Sequence, residues 1–329
     1  MDYKEAYERF TELFENRMDE KDAKEFLISL YEKGESPEEI AAAASVMREH
    51  SIKLPVSEDL REKLIDVVGT GGDKSGSFNV SSTVAILLAS LGSFVAKHGN
   101  RSITSKSGSA DMLEALGINL NLSPQNQVKM LEKTGFCFIF AINHHPAMKF
   151  IMPIRKTLPH RTIFNILGPL TNPAGAKKYL LGVFDRSFIP KIAKALSLID
   201  TKKAIIVSSK DGMDEISVSD ITYAAKVEMS DIEEFIIDPR KVGIPFSPFE
   251  AILGGDAKEN AKITKDILSG ELKGAKLDIV LLNTAAALVA DEKVGSLEEG
   301  IEMAKEAIES KKAIKKLKEI VEVSNELGR

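Results

Sequence analysis

A short apolar run, Leu64-Ile65-Asp66-Val67-Val68, stops at Gly69-Thr70-Gly71-Gly72-Asp73, and a helical pattern occupies 81–91. A strand that breaks into glycines ahead of a helix is half of a strand–helix–strand unit, whose two strands must run parallel. The order recurs along the chain. The run 94–96 leads into Lys97-His98-Gly99-Asn100-Arg101-Ser102, and 109–116 is helical up to Gly117. Ser123-Pro124 opens a helix that Gly135 closes, and 136–141 is a buried strand. Further strands are expected at 179–184, 204–208 and 277–282. Alternation of this kind implies an α/β domain with a mostly parallel central sheet. The strand C-terminal ends then share one edge, where loops bind ligands.

The first sixty residues follow another rule. Tyr3, Tyr7, Phe10 and Phe14 recur at helical spacing, as do Phe26, Leu27, Leu30 and Tyr31. Gly34 stops the second helix. Ser36-Pro37-Glu38-Glu39 starts a third, with Ser36 as N-cap, Pro37 at the first helical position and Glu39 completing a capping box. The segment 145–158 is helical again and is expected to fold back onto these helices. The turns at Pro159, Gly168-Pro169 and Asn172-Pro173 return the chain to the sheet. The division expected is therefore a small all-helical domain, 1–65 with a helical segment near 145–160, and a larger α/β domain, 66–144 and 161–329. A C-terminal helix starts at Ser296, with Glu299 in the capping-box position, and its Lys-rich stretch 311–318 is a solvated face.

Composition narrows the function. With 44 Lys and Arg against 49 Asp and Glu the net charge is −5, which argues against a dedicated nucleic-acid binder. No stretch is long and apolar enough to span a membrane, and the charged N-terminus has no signal-peptide pattern. A single cysteine, Cys137, excludes an internal disulfide and sits in an apolar strand, so the chain reads as intracellular and cytoplasmic. His144, His145 and His160 have no zinc-site spacing.

Three polar loops carry the chemistry. Glycines at 69, 71 and 72 let backbone N–H groups approach an anion, and the helix that follows adds its positive end. Neither a P-loop nor a dinucleotide fingerprint is present. Ser75, Ser77, Asn79, Ser81, Ser82 and Thr83 follow closely, a hydroxyl density suited to a phosphorylated ligand. Lys97 supplies a point charge at the next strand end, and His98 and Asn100 can position a polar substrate. Ser105-Lys106-Ser107-Gly108-Ser109-Ala110-Asp111 runs into another helix start. In Asp211-Gly212-Met213-Asp214-Glu215 the adjacent carboxylates are either a surface pair or ligands of a hard cation such as Mg²⁺. Arg155 is either a surface arginine or a partner for a carboxylate.

Taken with His145-Pro146-Ala147-Met148-Lys149, Arg161-Thr162-Ile163-Phe164-Asn165 and Gly168-Pro169-Leu170-Thr171-Asn172-Pro173, these motifs resemble, in order, those of the anthranilate phosphoribosyltransferase family. The resemblance covers roughly 66–290 and extends to the helical N-terminus. It implies a nucleoside-phosphorylase-type fold, a homodimer joined through helical domains, and transfer of phosphoribose from 5-phosphoribosyl 1-diphosphate to the amine of anthranilate in tryptophan biosynthesis. It puts Gly69, Thr70, Gly71, Gly72, Asp73, Asn79, Ser81, Ser82, Thr83, Lys97 and Ser109 on the phosphorylated substrate. It puts Gly69, His98, Asn100, His145, Arg155, Gly168 and Pro169 on anthranilate. Ser81, Asp214 and Glu215 would hold Mg²⁺, and no residue acts as a dedicated base. Leu158-Pro159-His160, Asn143-His144 and Lys311 depart from the family's usual residues; the first two adjoin the anthranilate side. The alternatives are a pyrimidine nucleoside phosphorylase, using inorganic phosphate, and a nucleic-acid-binding paralogue without catalysis, for which intact phosphate loops and the negative charge are a poor fit.

Overall fold

The computed structural model describes residues 1–73, 75–101 and 106–328. Ser102 and Ser105, quoted in the loop motifs above, lie outside the described residues. The chain opens with α1 (Tyr3–Phe14), α2 (Glu20–Lys33) and α3 (Pro37–Glu49), followed by the single turn α4 (Glu58–Arg61). Each start has a local cause. Asp2, Asp19 and Ser36 accept hydrogen bonds from the N3 amides, and Ser36 with Glu39 forms the full capping box. Phe10, Phe14, Leu27, Leu30 and Ile40 form the buried stripe between these helices.

The larger part then alternates. In order come β1 (Leu64–Gly69), α5 (Val80–Ser90), β2 (Phe94–Gly99), α6 (Ser109–Ala115), α7 (Pro124–Thr134) and β3 (Phe136–Phe140). The short α8 (Ala141–His144), α9 (Met148–Lys156) and α10 (Phe164–Leu167) interrupt, with α9 packed on α1 and α2. The sheet resumes with β4 (Lys178–Gly182), α11 (Ile189–Ser197) and β5 (Lys203–Ser209). Its order is β3-β2-β1-β4-β5-β6-β7, where β6 (Thr222–Glu228) and β7 (Asp231–Ile237) form an antiparallel hairpin on one side. The other five strands are parallel, so β1, β2, β4 and β5 end on the same edge. α11 packs on β5, β6 and α3, joining the sheet to the N-terminal helices.

Four helices complete the chain: α12 (Ala257–Leu268), α13 (Ala275–Ala290), α14 (Leu297–Glu309) and α15 (Lys312–Leu327). Two expectations need correction here. The run 277–282 is not a strand but part of α13, which is buried from Ile279 to Leu288. A helix buried on all sides carries no polar stripe, so a short window of it reads like a core strand. The C-terminal segment is also not one helix. Lys311 takes φ 63° and separates α14 from α15. Ser296 does cap α14, but the Glu299 carboxylate reaches the amide of Gly295 rather than that of Ser296, so the box is open.

Candidate functional site

β1 and β5 are separated by β4, yet the loops after β1 and β5 meet. The backbone at the end of β4 makes this possible. Gly182 lies where the turn after β5 crosses, and a Cβ there would overlap the Asp214 carbonyl oxygen. Across that gap, Gly71 N donates to Asp214 Oδ2 at 2.6 Å. Thr70 N donates to Gly182 O at 3.0 Å, and Phe184 N to Thr70 Oγ1 at 3.1 Å, which fixes the start of the glycine turn. Gly71 and Gly72 take φ of 66° and 72°, a region L residues avoid, so both positions need glycine. Arg161 braces the turn from outside. Its Nη2 donates to Gly72 O at 2.8 Å, and its guanidinium lies 3.6 Å from the centre of the Phe184 ring. Asp73 accepts from the Ser75 amide at 3.3 Å.

The start of α5 supplies the second group. Ser81 N donates to Glu215 Oε1 at 3.0 Å, and Ser81 Oγ accepts from Lys97 Nζ at 3.2 Å. Lys97, on β2, is 1% exposed, and its ammonium also donates to Val67 O at 2.6 Å. Burial pulls its pKa down, against the carboxylates of Asp66, Glu215 and Asp214. Asp214 and Glu215 are half-buried. Loss of water in the crowded turn holds both carboxyls above their ordinary range, with Asp73 adding to Asp214 and Asp214 adding to Glu215. Asn79, the N-cap residue of α5, contacts Ser107 and Asn260. Ser109 begins α6 beside Gly99.

The site does not gather every hydroxyl. Thr83 is fully buried, donating to Asn79 O or sharing its hydrogen with Thr264 Oγ1 at 2.7 Å, in the packing of α5 on α12. Ser82 is likewise buried, and its hydroxyl has no partner among the described residues.

His98 follows Lys97 on β2. A carbonyl can only accept, so the 3.1 Å contact to Gly168 O puts the His98 proton on Nδ1. Burial holds His98 down to about 3 and His145 to about 4, so both rings are neutral. His98 Nε2 therefore accepts, His145 Nε2–H donates across 3.2 Å, and His145 Nδ1 keeps a bare lone pair with no partner among the described residues. Arg155, on α9, is half-buried, and burial alone lowers its pKa. It lies 5.3 Å from the centre of the Phe164 ring and touches Asn165 Oδ1 at 3.4 Å, with no carboxylate partner among the described residues. Pro169 is buried next to Gly168. Asn100 is exposed at the end of β2, its Oδ1 accepting from Arg101 N at 2.8 Å.

Asp66 and Gly182 are among the residues of this site to which the sequence assigns no role. Asp66, fully buried in β1, accepts from His98 N at 3.2 Å and Asn172 Nδ2 at 2.7 Å, and so ties β2 to the 168–173 segment. Burial raises it to about 7. A lone acid inside an apolar strand was the available signal. Gly182 gave a weaker one, a glycine closing a strand.

Comparison with known proteins gives a consistent result. Residues 61–314 match the glycosyl transferase family a/b domain, and residues 1–51 match the helical bundle domain of that family. An anthranilate phosphoribosyltransferase of Aquifex aeolicus is 43% identical over 98% of this chain and 94% of its own length. The crystal structure of anthranilate phosphoribosyltransferase from Thermus thermophilus superposes with TM-score 0.92 at 39% identity, over 99% of this chain and 96% of that one. The enzyme from Saccharomyces cerevisiae in complex with PRPP and Mg gives TM-score 0.89 at 27% identity, over 99% and 94%.

Proposed function

This chain belongs to the anthranilate phosphoribosyltransferase family, and on that premise we propose how its residues divide the transfer between them. The enzyme moves phosphoribose from 5-phosphoribosyl 1-diphosphate (PRPP) to the amine of anthranilate, giving N-(5-phosphoribosyl)anthranilate and diphosphate. The relatives from Aquifex aeolicus and Thermus thermophilus are anthranilate phosphoribosyltransferases, which favours this reading over the phosphorylase and nucleic-acid-binding alternatives. The observation that carries the residue assignment is the 2.6 Å contact of Asp214 with Gly71 N, which brings the acidic turn and the glycine turn into one site.

The backbone of 69–72, Asn79, Ser81, Lys97 and Ser109 hold the phosphorylated substrate in this assignment. Thr83 contributes through the packing of α5 and not through its hydroxyl, which is engaged elsewhere. Departure of diphosphate leaves cationic character on the sugar and gathers negative charge on the leaving group. The buried Lys97 ammonium stabilises that charge from a fixed position, the form of electrostatic help that needs no reorganisation, and the Ser81 amide joins it once Glu215 releases it. The two carboxylates and the Ser81 hydroxyl are hard oxygen donors, and the loss of water and the mutual repulsion that raise both acids are what a divalent cation would offset, so they fit Mg²⁺. Bound there, Mg²⁺ supplies positive charge against the diphosphate.

Arg155 is assigned to the anthranilate carboxylate, because it is a desolvated cation without an anion among the described residues. Gly69, Asn100, His98, His145, Gly168 and Pro169 line the approach of the ring. The lone pair on His145 Nδ1 suits an N–H donor on the bound substrate. The amine attacks as a neutral lone pair and sheds its proton afterwards, so positioning supplies much of the rate. No dedicated base is assigned.

We also assign the enzyme to tryptophan biosynthesis in the cytoplasm, where a fully buried thiol such as Cys137 is in keeping. A homodimer joined through the helical part would cover the exposed Ile142 and Phe150. The test is anthranilate fluorescence. It decays only when protein, PRPP and Mg²⁺ are all present. A signal that persists at high enzyme concentration with all three removes the residue assignment and the activity together.

A further inference from the structure

We propose that Asn260 is a positioning residue for the transfer: it sets the orientation of the Asn79 amide so that an N–H, rather than the carbonyl oxygen, faces the phosphorylated substrate. This rests on the assignment of Asn79 to PRPP.

An asparagine amide fits its slot equally well in either of two orientations, and only its neighbours decide which. The decision here starts from a group with no choice. The backbone amide of Gly255 can only donate, and it donates to Asn260 Oδ1 at 2.8 Å. Asn260 must therefore turn its NH₂ the other way, toward Asn79, and it donates to Asn79 Oδ1 at 2.9 Å. Asn79 must meet an NH₂ with its oxygen, and that oxygen also accepts from Ser107 Oγ at 3.1 Å. Both lone pairs are then occupied. The NH₂ of Asn79 is left on the far side, where one hydrogen goes to Ser107 O at 3.3 Å. The second has no acceptor among the described residues, on a side chain that is half-buried beside the glycine turn. An anion is favoured there only by a donor.

The surroundings make the chain of bonds rigid. Asn260 is 2% exposed in the first turn of α12, where an unsatisfied amide is costly. Gly254, next to the initiating amide, donates to Gly76 O at 2.9 Å, and a Cβ at Gly254 would overlap the backbone of Phe78. The segment that starts the relay is thus fastened to the far end of the substrate loop. One turn further along α12, Thr264 meets Thr83 at 2.7 Å, and Thr83 is within 3.0 Å of Asn79 O. α12 therefore grips both the backbone and the side chain of the residue it orients. Nothing in the motif reading marked Asn260, since it lies far from the three loops in sequence.

The polarity of the relay gives the test. Asn260→Asp keeps the size and the acceptor for Gly255 but presents a second oxygen to Asn79, which must then flip or lose the bond. Steady-state kinetics on the full chain with Mg²⁺ and saturating anthranilate should show KM for PRPP raised about tenfold. kcat should change less than KM, and KM for anthranilate should stay unchanged. Asn260→Ala, which removes the constraint without inverting it, should raise KM for PRPP by a smaller factor. In an Asn79→Ala background either change should add nothing, because no amide remains to orient. An Asn260 effect that persists undiminished in that background means that added charge or altered packing is responsible, and the proposal is overturned. An unchanged KM for PRPP in Asn260→Asp overturns it as well. An Asn79→Ala enzyme with unchanged KM for PRPP removes the underlying assignment itself. If Asn260→Asp does not fold, as shown by thermal melting, Asn260→Ala with and without Asn79→Ala decides the matter by the same criterion.

Discussion

With the residues assigned as proposed, the two sides of the site are prepared for their substrates in opposite ways. On the phosphate side the backbone amides and the ammonium already have partners, Gly71 N with Asp214, Ser81 N with Glu215, Lys97 with Val67 O and Ser81 Oγ, and one Asn79 N–H alone is left open among the groups described there. On the aromatic side two groups lack a matched partner among the described residues. Arg155 lacks an anion among the described residues, and His145 Nδ1 lacks a donor. On the proposed assignment, substrate binding on the phosphate side is therefore largely an exchange, in which carboxylates must leave amides before phosphate oxygens can take them. On the aromatic side it is an addition. The net strength of an exchange is a small difference between large interactions, whereas an addition satisfies groups that are otherwise costly to hold out of water. Removing a residue should thus have effects of different kind, and in one case of different sign, on the two sides.

The largest effect is expected at Lys97. Lys97→Met keeps the buried volume and deletes the charge, and kcat/KM should fall about 10²–10³-fold, the range for loss of one preorganised electrostatic group. KM for anthranilate should move little. A comparable loss in anthranilate binding would mean that the two sides are not separable. Next comes Arg155→Ala, where KM for anthranilate should rise about 10²-fold, as for a charge-assisted pair, with kcat for PRPP-saturated enzyme less affected. Unchanged anthranilate kinetics would leave the aromatic side without its anchor.

A third difference lies in pH. His145 is held near 4 in the folded chain against about 6.5 when exposed, so the unfolded state binds the extra proton between these values. Stability from this group is complete above pH 6.5 and is lost as pH falls toward 4. At pH 5 the loss is about 2 kcal/mol relative to pH 8. Thermal melting of wild type and His145→Phe across that range isolates the group, since the buried carboxyls titrate in both proteins. A wild-type slope no steeper than that of His145→Phe would mean that the ring is not held neutral.

The same contrast explains what the sequence could reveal. The phosphate side is built from contiguous stretches at strand ends, and Gly69-Thr70-Gly71-Gly72-Asp73 announces both a turn and an anion site because glycine has few other reasons to cluster there. The alternation of strands and helices was legible for the same reason, each unit being signalled by a local period and a local stop. What was not legible depends on distance in the chain. Gly182 matters only because β4 lies between β1 and β5 and the turn bearing Asp214 has to cross it. Asp66 acts through Asn172, and Asn260 through Asn79, partners that sequence spacing does not connect. The hairpin of β6 and β7 turns at Met229-Ser230, with Met229 at φ 54°, instead of the glycine or asparagine that would have marked it. The misread run in α13 shows the complementary limit. Full burial erases the period from which a helix is recognised.

The smallest effect is the one that separates exchange from addition most cleanly, because it has an unexpected sign. If Asp214 only helped to build the site, Asp214→Ala would weaken every phosphate ligand. In the structure, however, its carboxylate accepts from Gly71 N, an amide assigned to the diphosphate. Above a pH of about 7, to which burial raises this carboxyl, it is ionised and also crowds Asp73 and Glu215, adding negative charge where an anion has to enter. Without a divalent cation, Asp214 is thus a competitor of the ligand. Calorimetric titration of diphosphate into the Mg²⁺-free protein should show Asp214→Ala binding about fivefold more tightly than wild type, one hydrogen bond's net worth. With Mg²⁺ present the order should reverse, since the carboxylate then serves the cation and no longer blocks the amide. Weaker binding by Asp214→Ala under both conditions would show that the turn is scaffolding. The phosphate side would then be prepared in the same way as the aromatic side, and the contrast between them would not hold.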